Sequence, residues 1–576
     1  MKKQMEILNP DQTTVHNIQK QTGCHPIIAG ILTNRGITSE KSIAEFFNPS
    51  LRNIQSFETL IDMDKAVERI TLAILKNEKI LVFGDYDVDG ITSTSILYEF
   101  LITTGADATY YIPHRIKEGY GLKPYQIEHV VIPGGFNLVI TIDCGSSSHE
   151  AVDFANQSGI DIIVTDHHTI SDSLPRALAV VNPKRHDCPS ESSYLAGVGV
   201  AFCLLISLRK HLRNINFWEN RPGPNLPEPN LKALCDLVAL GTIADIVPMI
   251  NENRIITKAG LEVINTSPRP GLQALIKLSG INKSEIDAED IAYKLSPRLN
   301  AAGRMDHAGL AVKLLNTKDI DEAFTLAKTL NIMNLQRQEI EQKIFHHILM
   351  YLNEKPEQIN KKAVILGKQD WHEGVLGIVA SKLVEKFFRP VILISFNKNI
   401  GKGSGRSIPG INLYDALCQC AEYLEGFGGH PMAAGLSIKK ENLKPFQNQF
   451  EKTVAAMTAG QELIPSIRID CRLNFDMISD RLIDEISLLQ PFGQNNPEPL
   501  FCTEKVDVTF SKIIGKNHRR LTLRQRNSKS NKSVNAIWFN VEGENIDKKY
   551  FDTIAFKLRW NHWNGKKSIQ AVVEDA

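Results

Sequence analysis

The segment Asp85-Tyr86-Asp87-Val88-Asp89-Gly90 sets three carboxylates at alternate positions. Acids this close repel one another unless a cation neutralises them, so the spacing predicts a divalent-metal site. The same letters open a calcium-binding EF-hand loop, but the twelfth position of such a loop needs a bidentate glutamate and here it is Ile96. Three further segments carry related chemistry: Ile142-Asp143-Cys144-Gly145, Asp166-His167-His168, and Asp245 in Gly241-Thr242-Ile243-Ala244-Asp245. Asp143 alone could be a turn or cap residue and Asp245 a structural ion-pair partner. Two adjacent imidazoles behind an acid offer one ring to a metal and one to an anionic substrate. Jointly, oxygen-rich ligation with one or two imidazoles suits Mn²⁺ or Mg²⁺ better than zinc or copper. The ligands suffice for two ions sharing one Asp, an arrangement that activates water for in-line attack on phosphorus, so the chemistry expected is phosphoester hydrolysis.

The elements around these residues place them at one edge. From Lys79 to about Val247, apolar β-branched runs alternate with helical stretches, the pattern of a parallel sheet covered by helices. Residues 79–84, 137–142 and 161–165 are nearly continuous apolar runs, as strands buried on both faces require. Asp85, Asp143 and Asp166 follow them directly, at the carboxyl ends where open α/β sheets bind ligands.

A chain of 576 residues holds about three or four folding units. With 43% hydrophobic and 23% charged residues it reads as globular, which excludes disordered, collagenous and disulfide-stapled classes. Lys plus Arg number 66 against 65 for Asp plus Glu, so any anionic partner must be met by local clustering. The nine cysteines lack paired C-x-x-C spacing and read as reduced structural thiols. The start has no apolar core behind its lysines and no run is long enough to span a bilayer, so a soluble, cytoplasmic protein is expected. Residues 221–230, rich in Pro and Asn, read as a surface loop. The apolar spacing after Ala308 predicts a long connecting helix, followed by a second α/β block over about 363–438. Beyond Ser466 strand-like alternation, with turn signals at Gly515-Lys516-Asn517 and Asn564-Gly565, predicts a small β-barrel.

The motifs DYDVDG, IDCG, TDHH and the Asp after GTIA resemble the DHH phosphoesterase superfamily. Gly403-Ser404-Gly405-Arg406-Ser407 and Gly428-Gly429-His430-Pro431-Met432-Ala433-Ala434-Gly435 resemble its accompanying DHHA1-type substrate-binding domain. Physically, the Gly-Ser-Gly piece could bring backbone N–H groups to a phosphate, with Arg406 gripping it bidentately and His430 adding a donor. Residues 111–115 with 118–121, 297–304 and 491–499 extend the likeness, over nearly the whole chain, to the single-strand-specific exonucleases of that superfamily. The resemblance implies 79–307 as a DHH catalytic domain, 308–360 as a connecting helix, 361–462 as the DHHA1-type domain and 463–576 as an OB-fold barrel. Residues 1–78 are expected to pack on the first lobe, and no module is expected after the barrel.

By resemblance, Asp85, Asp87, Asp89, Asp143, His167 and Asp245 hold two divalent cations, Mn²⁺ or Mg²⁺, with Asp143 as the bridge. His168 faces the scissile phosphate and Asp166 orients a neighbouring imidazole. Arg115, Arg298, Arg304, Ser404, Arg406 and His430 bind substrate. The implied activity is 5′-to-3′ hydrolysis of single-stranded DNA to 5′-mononucleotides in repair and recombination. A RecQ-type helicase and a single-strand-binding protein are the implied protein partners. The barrel adds its own signal: Lys512, Lys516, Arg519, Arg520, Arg524, Arg526, Lys529 and Lys532 accumulate where acids are absent, with Phe510, Trp538, Trp560 and Trp563 near them as stacking or core residues. Two rivals are a phosphodiesterase for short or cyclic dinucleotides, which needs no barrel, and a scaffold with a defunct site, which would have lost some of these acids.

Overall fold

The computed structural model describes residues 3–54, 59–170, 173–189, 192–220, 226–459, 463–526, 531–541, 543–563 and 565–576, and the side chains of these except Asn220, Glu544 and Trp563. Lys529, Asn564, the Trp563 side chain and the first half of the 221–230 loop therefore lie outside the described residues. No described helix is long and apolar enough to cross a membrane.

A short strand β1 (Gln4–Ile7) opens the chain. The first lobe is a parallel sheet of β2 (Ile80–Gly84), β3 (Ala108–Tyr111), β4 (Leu138–Ile142), β5 (Asp161–Thr165) and β6 (Ala179–Val181), in the order β3-β2-β4-β5-β6. β2 and β4 are buried at every residue, because helices cover both faces and leave no side of either strand to water. The order reverses at β2, which has β3 on one side and β4 on the other, so the loops after β2 and β4 diverge above a crevice.

A short helix, Gly309–Asn316, precedes the 35-residue helix Ile320–Glu354. The predicted continuous helix after Ala308 is thus interrupted at 317–319, where the Asp319 carboxylate caps the amides of Asp321 and Glu322. The long helix leads to a second lobe of β7 (Val364–Gln369), β8 (Val391–Asn397), β9 (Ile400–Arg406), β10 (Leu424–His430) and β11 (Ala433–Lys439), in the order β10-β11-β9-β8-β7. Gly403 to Arg406 lie inside β9, paired with β8 on one side and β11 on the other. The expected Gly-Ser-Gly cradle of free amides is therefore corrected: the ladders engage this backbone, and what β9 presents is alternate side chains, Ser404 and Arg406. Gly403 and Gly405 have a packing reason, since a Cβ there would lie 2.8 Å from Leu436 or 2.9 Å from Leu413.

Two short strands, β12 (Ser466–Ile469) and β13 (Cys471–Arg472), lead into β14 (Phe501–Ile514), β15 (His518–Gln525), β16 (Ser533–Trp538), β17 (Tyr550–Trp563) and β18 (Lys566–Asp575). The added pairing of β14 with β17 closes these last five into a barrel. The placement of residues 1–78 on the first lobe holds only for their second part. Ile54, Leu60 and the helix Met63–Lys76 join the first-lobe core. Val15, Ile18, Ile28, Ile31, Leu32 and Ile43 instead share one core with Leu482, Ile486 and the barrel's Phe501 and Phe556, and β1 pairs with β12. The apolar stripes of these early helices find their complement more than 400 positions away, which helical periodicity alone does not reveal.

Candidate metal centre and nucleic-acid interface

The loop after β2 turns directly into the helix Val88–Thr103, and Asp87 caps it by accepting from the amides of Asp89 and Gly90 at 3.0 and 3.2 Å. Asp85 and Asp89 are buried. A Cβ at Gly90 would lie 2.5 Å from the Asp85 carbonyl, so only glycine lets helix and strand end approach this closely. Asp89 accepts the amides of Gly197 and Val198 at 2.7 and 2.9 Å, at the start of the helix Gly197–Asn214. That helix places the positive end of its dipole against the carboxylate. Asp143 follows β4 with φ of 60°, a strained backbone for a non-glycine residue, and its amide bonds the Thr165 carbonyl at 3.0 Å. Asp245 ends the helix Leu231–Ala244.

These residues converge. Asp85, Asp87 and Asp143 form one potential metal-holding group, Asp89, His167 and Asp245 a second, and Asp143, His167 and His168 a third, with candidate ligand atoms within 4.8 Å of one another in each. His167 Nε2 lies 3.1 Å from Asp143 Oδ1, 3.6 Å from Asp245 Oδ2 and 3.7 Å from Asp89 Oδ2. The other ring nitrogen, Nδ1, is 3.1 Å from the Leu195 carbonyl, which can only accept, so Nδ1 carries the proton and Nε2 presents its lone pair. Burial, with the nearby His168 and Lys184 charges, pushes His167 down to about 3, which keeps it a neutral ligand.

Burial and the Asp87 charge lift Asp89 to about 7, and burial plus neighbouring carboxylates raise Asp85, Asp143 and Asp245 well above the usual range. Asp85 Oδ1, Asp143 Oδ1 and His167 Nε2 are buried without a hydrogen-bond partner. Orphaned acceptors facing one another are costly unless a cation satisfies them, and oxygen donors with one imidazole fit Mn²⁺ or Mg²⁺.

Asp166 belongs to none of the three potential metal-holding groups and holds His168 instead. Its Oδ1 accepts the amides of His167 and His168 and lies 2.8 Å from His168 Nδ1, while Oδ2 accepts the Ser146 amide. Although burial opposes it, the His168 contact holds Asp166 well below the usual carboxylate range. Reciprocally, burial disfavours charge on His168 but Asp166 overrides it and lifts the imidazole to about 9. Tyr120, which belongs to the 118–121 piece of the resemblance but was given no role there, sets its hydroxyl 3.0 Å from both His168 Nδ1 and the Asp143 carbonyl.

Across the cleft, His430 stacks on His168 with ring centroids 6.0 Å apart. Arg304 donates to the Gly374 carbonyl of the second lobe at 2.9 Å, and burial together with Arg115, Arg337 and Arg406 pushes it down to about 9. Arg406 is held beside Ser404 and the Gly405 carbonyl, and Arg115 lies 4.7 Å over the Tyr86 ring, between the acids and the arginines. Among the described residues no carboxylate forms an ion pair with Arg115, Arg304 or Arg406, so three neighbouring guanidinium charges are left without a direct counter-ion. Arg298 is occupied differently, bonded to Asn331 and the Lys294 carbonyl. Arg337, on the long helix, adds positive charge beside Arg304 but is itself engaged by the buried Glu341 carboxylate at 2.7 Å.

On the barrel the expected basic stripe divides. Arg519, 1% exposed, binds the Asn545 and Lys548 carbonyls, and Trp538 lies in the barrel core. Lys532 donates to the Ile478 carbonyl, Arg526 pairs with Asp507, and Trp560 bonds Asp484 under Lys567. Arg519 and Trp538 are turned inward by the alternation of the strands, whereas Lys532, Arg526 and Trp560 stay at least partly exposed but are taken up by these contacts. Lys512, Lys516, Arg520 and Arg524 remain exposed with Phe510, and Phe539 joins them.

The sheet order, the acids at its edge and the facing arginine pocket define a DHH-type phosphoesterase with its DHHA1 lobe. Residues 79–242 match the DHH family N-terminal domain, 360–456 the DHHA1 domain and 469–575 the RecJ OB domain. The single-stranded-DNA-specific exonuclease RecJ of Bacillus subtilis is 35% identical over 587 aligned residues, covering 100% of this chain and 71% of that protein. The Escherichia coli RecJ is 35% identical over 564, covering 96% and 95%. The crystal structure of RecJ in complex with Mn²⁺ from Thermus thermophilus superposes with a TM-score of 0.83 at 28% identity, over 99% of this chain and 79% of that one. A second, with Mg²⁺, gives 0.77. The chain belongs to the RecJ family of single-stranded-DNA-specific exonucleases.

Proposed function

We propose that this protein hydrolyses single-stranded DNA from its 5′ end and releases 5′-mononucleotides, holding two divalent cations, Mn²⁺ or Mg²⁺. The observation that carries this reading is the set of buried, unpartnered acceptors on Asp85, Asp143 and His167 lying near the guanidinium groups of Arg115, Arg304 and Arg406, none of which forms an ion pair among the described residues. Asp85, Asp87 and Asp143 would hold one cation and Asp89, His167 and Asp245 the other, with Asp143 shared. When bound, such cations supply Lewis-acid activation of water and neutralise charge at phosphorus.

The remaining work falls to side chains. His168 stays charged near neutral pH and offers Nε2–H to a phosphate oxygen, while Asp166 and Tyr120 fix its Nδ1 edge. Arg115, Arg304 and Arg406, with Ser404 and His430, bind the terminal phosphate and set which bond reaches the acids. Arg298 supports this pocket from the helix Ser296–Met305, which also carries Arg304. A cleft between the two lobes admits one strand and rejects a duplex. The barrel's exposed Phe510 and lysines track the incoming strand. A role in cytoplasmic DNA repair and recombination, beside a RecQ-type helicase and a single-strand-binding protein, follows from this substrate.

Oligonucleotides labelled at either end, single- and double-stranded, test the reading with Mn²⁺, Mg²⁺ or chelator. Early release of the 5′ label from single strands only, and only with added cation, is expected. Early release of the 3′ label, or equal duplex cleavage, refutes it.

A further inference from the structure

The loop that carries Asp245 is supported from outside its own lobe. After Asp245, Ile246 adopts φ of 58°, a left-handed backbone that is strained for a β-branched residue, and its side chain is 71% exposed. Such a conformation persists only if its surroundings enforce it. One support is internal: Asn253, buried, donates to the Pro248 and Tyr194 carbonyls at 2.9 and 2.8 Å. The other comes from the turn Phe492–Asn496 that leads into the barrel. The Met249 amide donates to the Gln494 carbonyl at 2.7 Å, and Pro248 bridges Gln494. Gly493 lies so close that a Cβ there would be 3.0 Å from Met249 Cβ.

The turn is itself pinned. Asn496 and Gly493 exchange backbone hydrogen bonds, and the buried Asn496 side chain donates to the Leu489 and Pro491 carbonyls. Arg254, next to Asn253, donates to the carbonyls of Leu488, Leu489 and Phe46 and packs over the Phe46 ring at 3.8 Å. Neighbouring residues of one helix thus hold the metal loop and the barrel's approach segment.

We propose that the turn Phe492–Asn496 is a positioning element for Asp245, so that the seat of the barrel module sets the affinity of the cation site. This rests on the reading that the acid cluster binds divalent cations. The test is Mn²⁺ titration of the full chain by electron paramagnetic resonance, with melting temperature followed in chelator. Wild type and Asp245→Asn come first: no Mn²⁺ binding by the wild type refutes the cation reading itself. Given binding, Gly493→Val, which drives a side chain into Met249, should weaken Mn²⁺ about 10-fold in a chain that still melts cooperatively in chelator, as loss of a support behind a metal ligand does. Met249→Ala in the same chain should restore it. Gly493→Ala provides a milder perturbation if Gly493→Val does not fold. Unchanged Mn²⁺ affinity in these folded variants overturns the proposal.

Discussion

The two α/β lobes build opposite electrostatics by different means. In the first, carboxylates leave the carboxyl ends of parallel strands and meet because the topology makes them meet. In the second, Ser404 and Arg406 project from the end of β9, and Arg115 and Arg304 join them from elsewhere in the chain, while Arg337 behind them is neutralised by the buried Glu341. The acids repel until a cation arrives, and the arginines repel until a phosphate arrives. Each half is unfinished, and a phosphodiester beside cations completes both.

Variants can separate the halves. Asp143→Asn strikes the proposed shared ligand and should cost at least about 10²–10³-fold in hydrolysis. In chelator the same variant should melt above the wild type, since a buried like charge is gone; a lower melting temperature would show that the carboxylate is structurally satisfied. Arg304→Gln acts on the other half. Loss of a charge-assisted contact should raise the KM for 5′-phosphorylated strands about 10- to 100-fold and change kcat less. Steady-state kinetics with and without the 5′ phosphate would check it, and equal loss on both substrates would break the assignment of the pocket.

The barrel offers a third contrast. Phe510→Ala should weaken binding of a long strand about fivefold or more, as loss of one stacking platform does, while dinucleotide hydrolysis stays unchanged. Fluorescence anisotropy with the long strand and turnover of the dinucleotide distinguish this from a general defect.

The smallest effect is a pH signature. The folded-state value of Asp89, about 7, exceeds its ordinary 3.8, and Asp85, Asp143 and Asp245 are raised too. Their contribution to the metal-free fold is fully present below the ordinary value and is lost as pH rises through the folded one. Between about pH 5 and 8 the metal-free melting temperature should fall, and the gain on adding Mn²⁺ should widen by on the order of a few degrees. A gain independent of pH would mean that other groups bind the ion.

Legibility follows the same divide. Asp85, Asp143 and Asp166 each follow an apolar strand, so local pattern foretold both their lobe and their edge. The role of Tyr120, though it sits in a recognised motif, and those of the Gly197 and Val198 amides and the Leu195 carbonyl were not legible, because a backbone group or lone hydroxyl shows no role until its partner is placed. The barrel stripe misled in part: Arg519 reads as a surface cation yet is buried on two carbonyls.

By itself, the sequence determined which side chains could bind a cation, because residue type decides donor chemistry and strand period decides where a short segment ends. Only the tertiary structure decided that the first helices cover the barrel, that Gly403 to Arg406 form a strand, and that a turn near residue 494 braces Asp245. Those outcomes depend on contacts between segments hundreds of positions apart, where neither local propensity nor periodicity carries information.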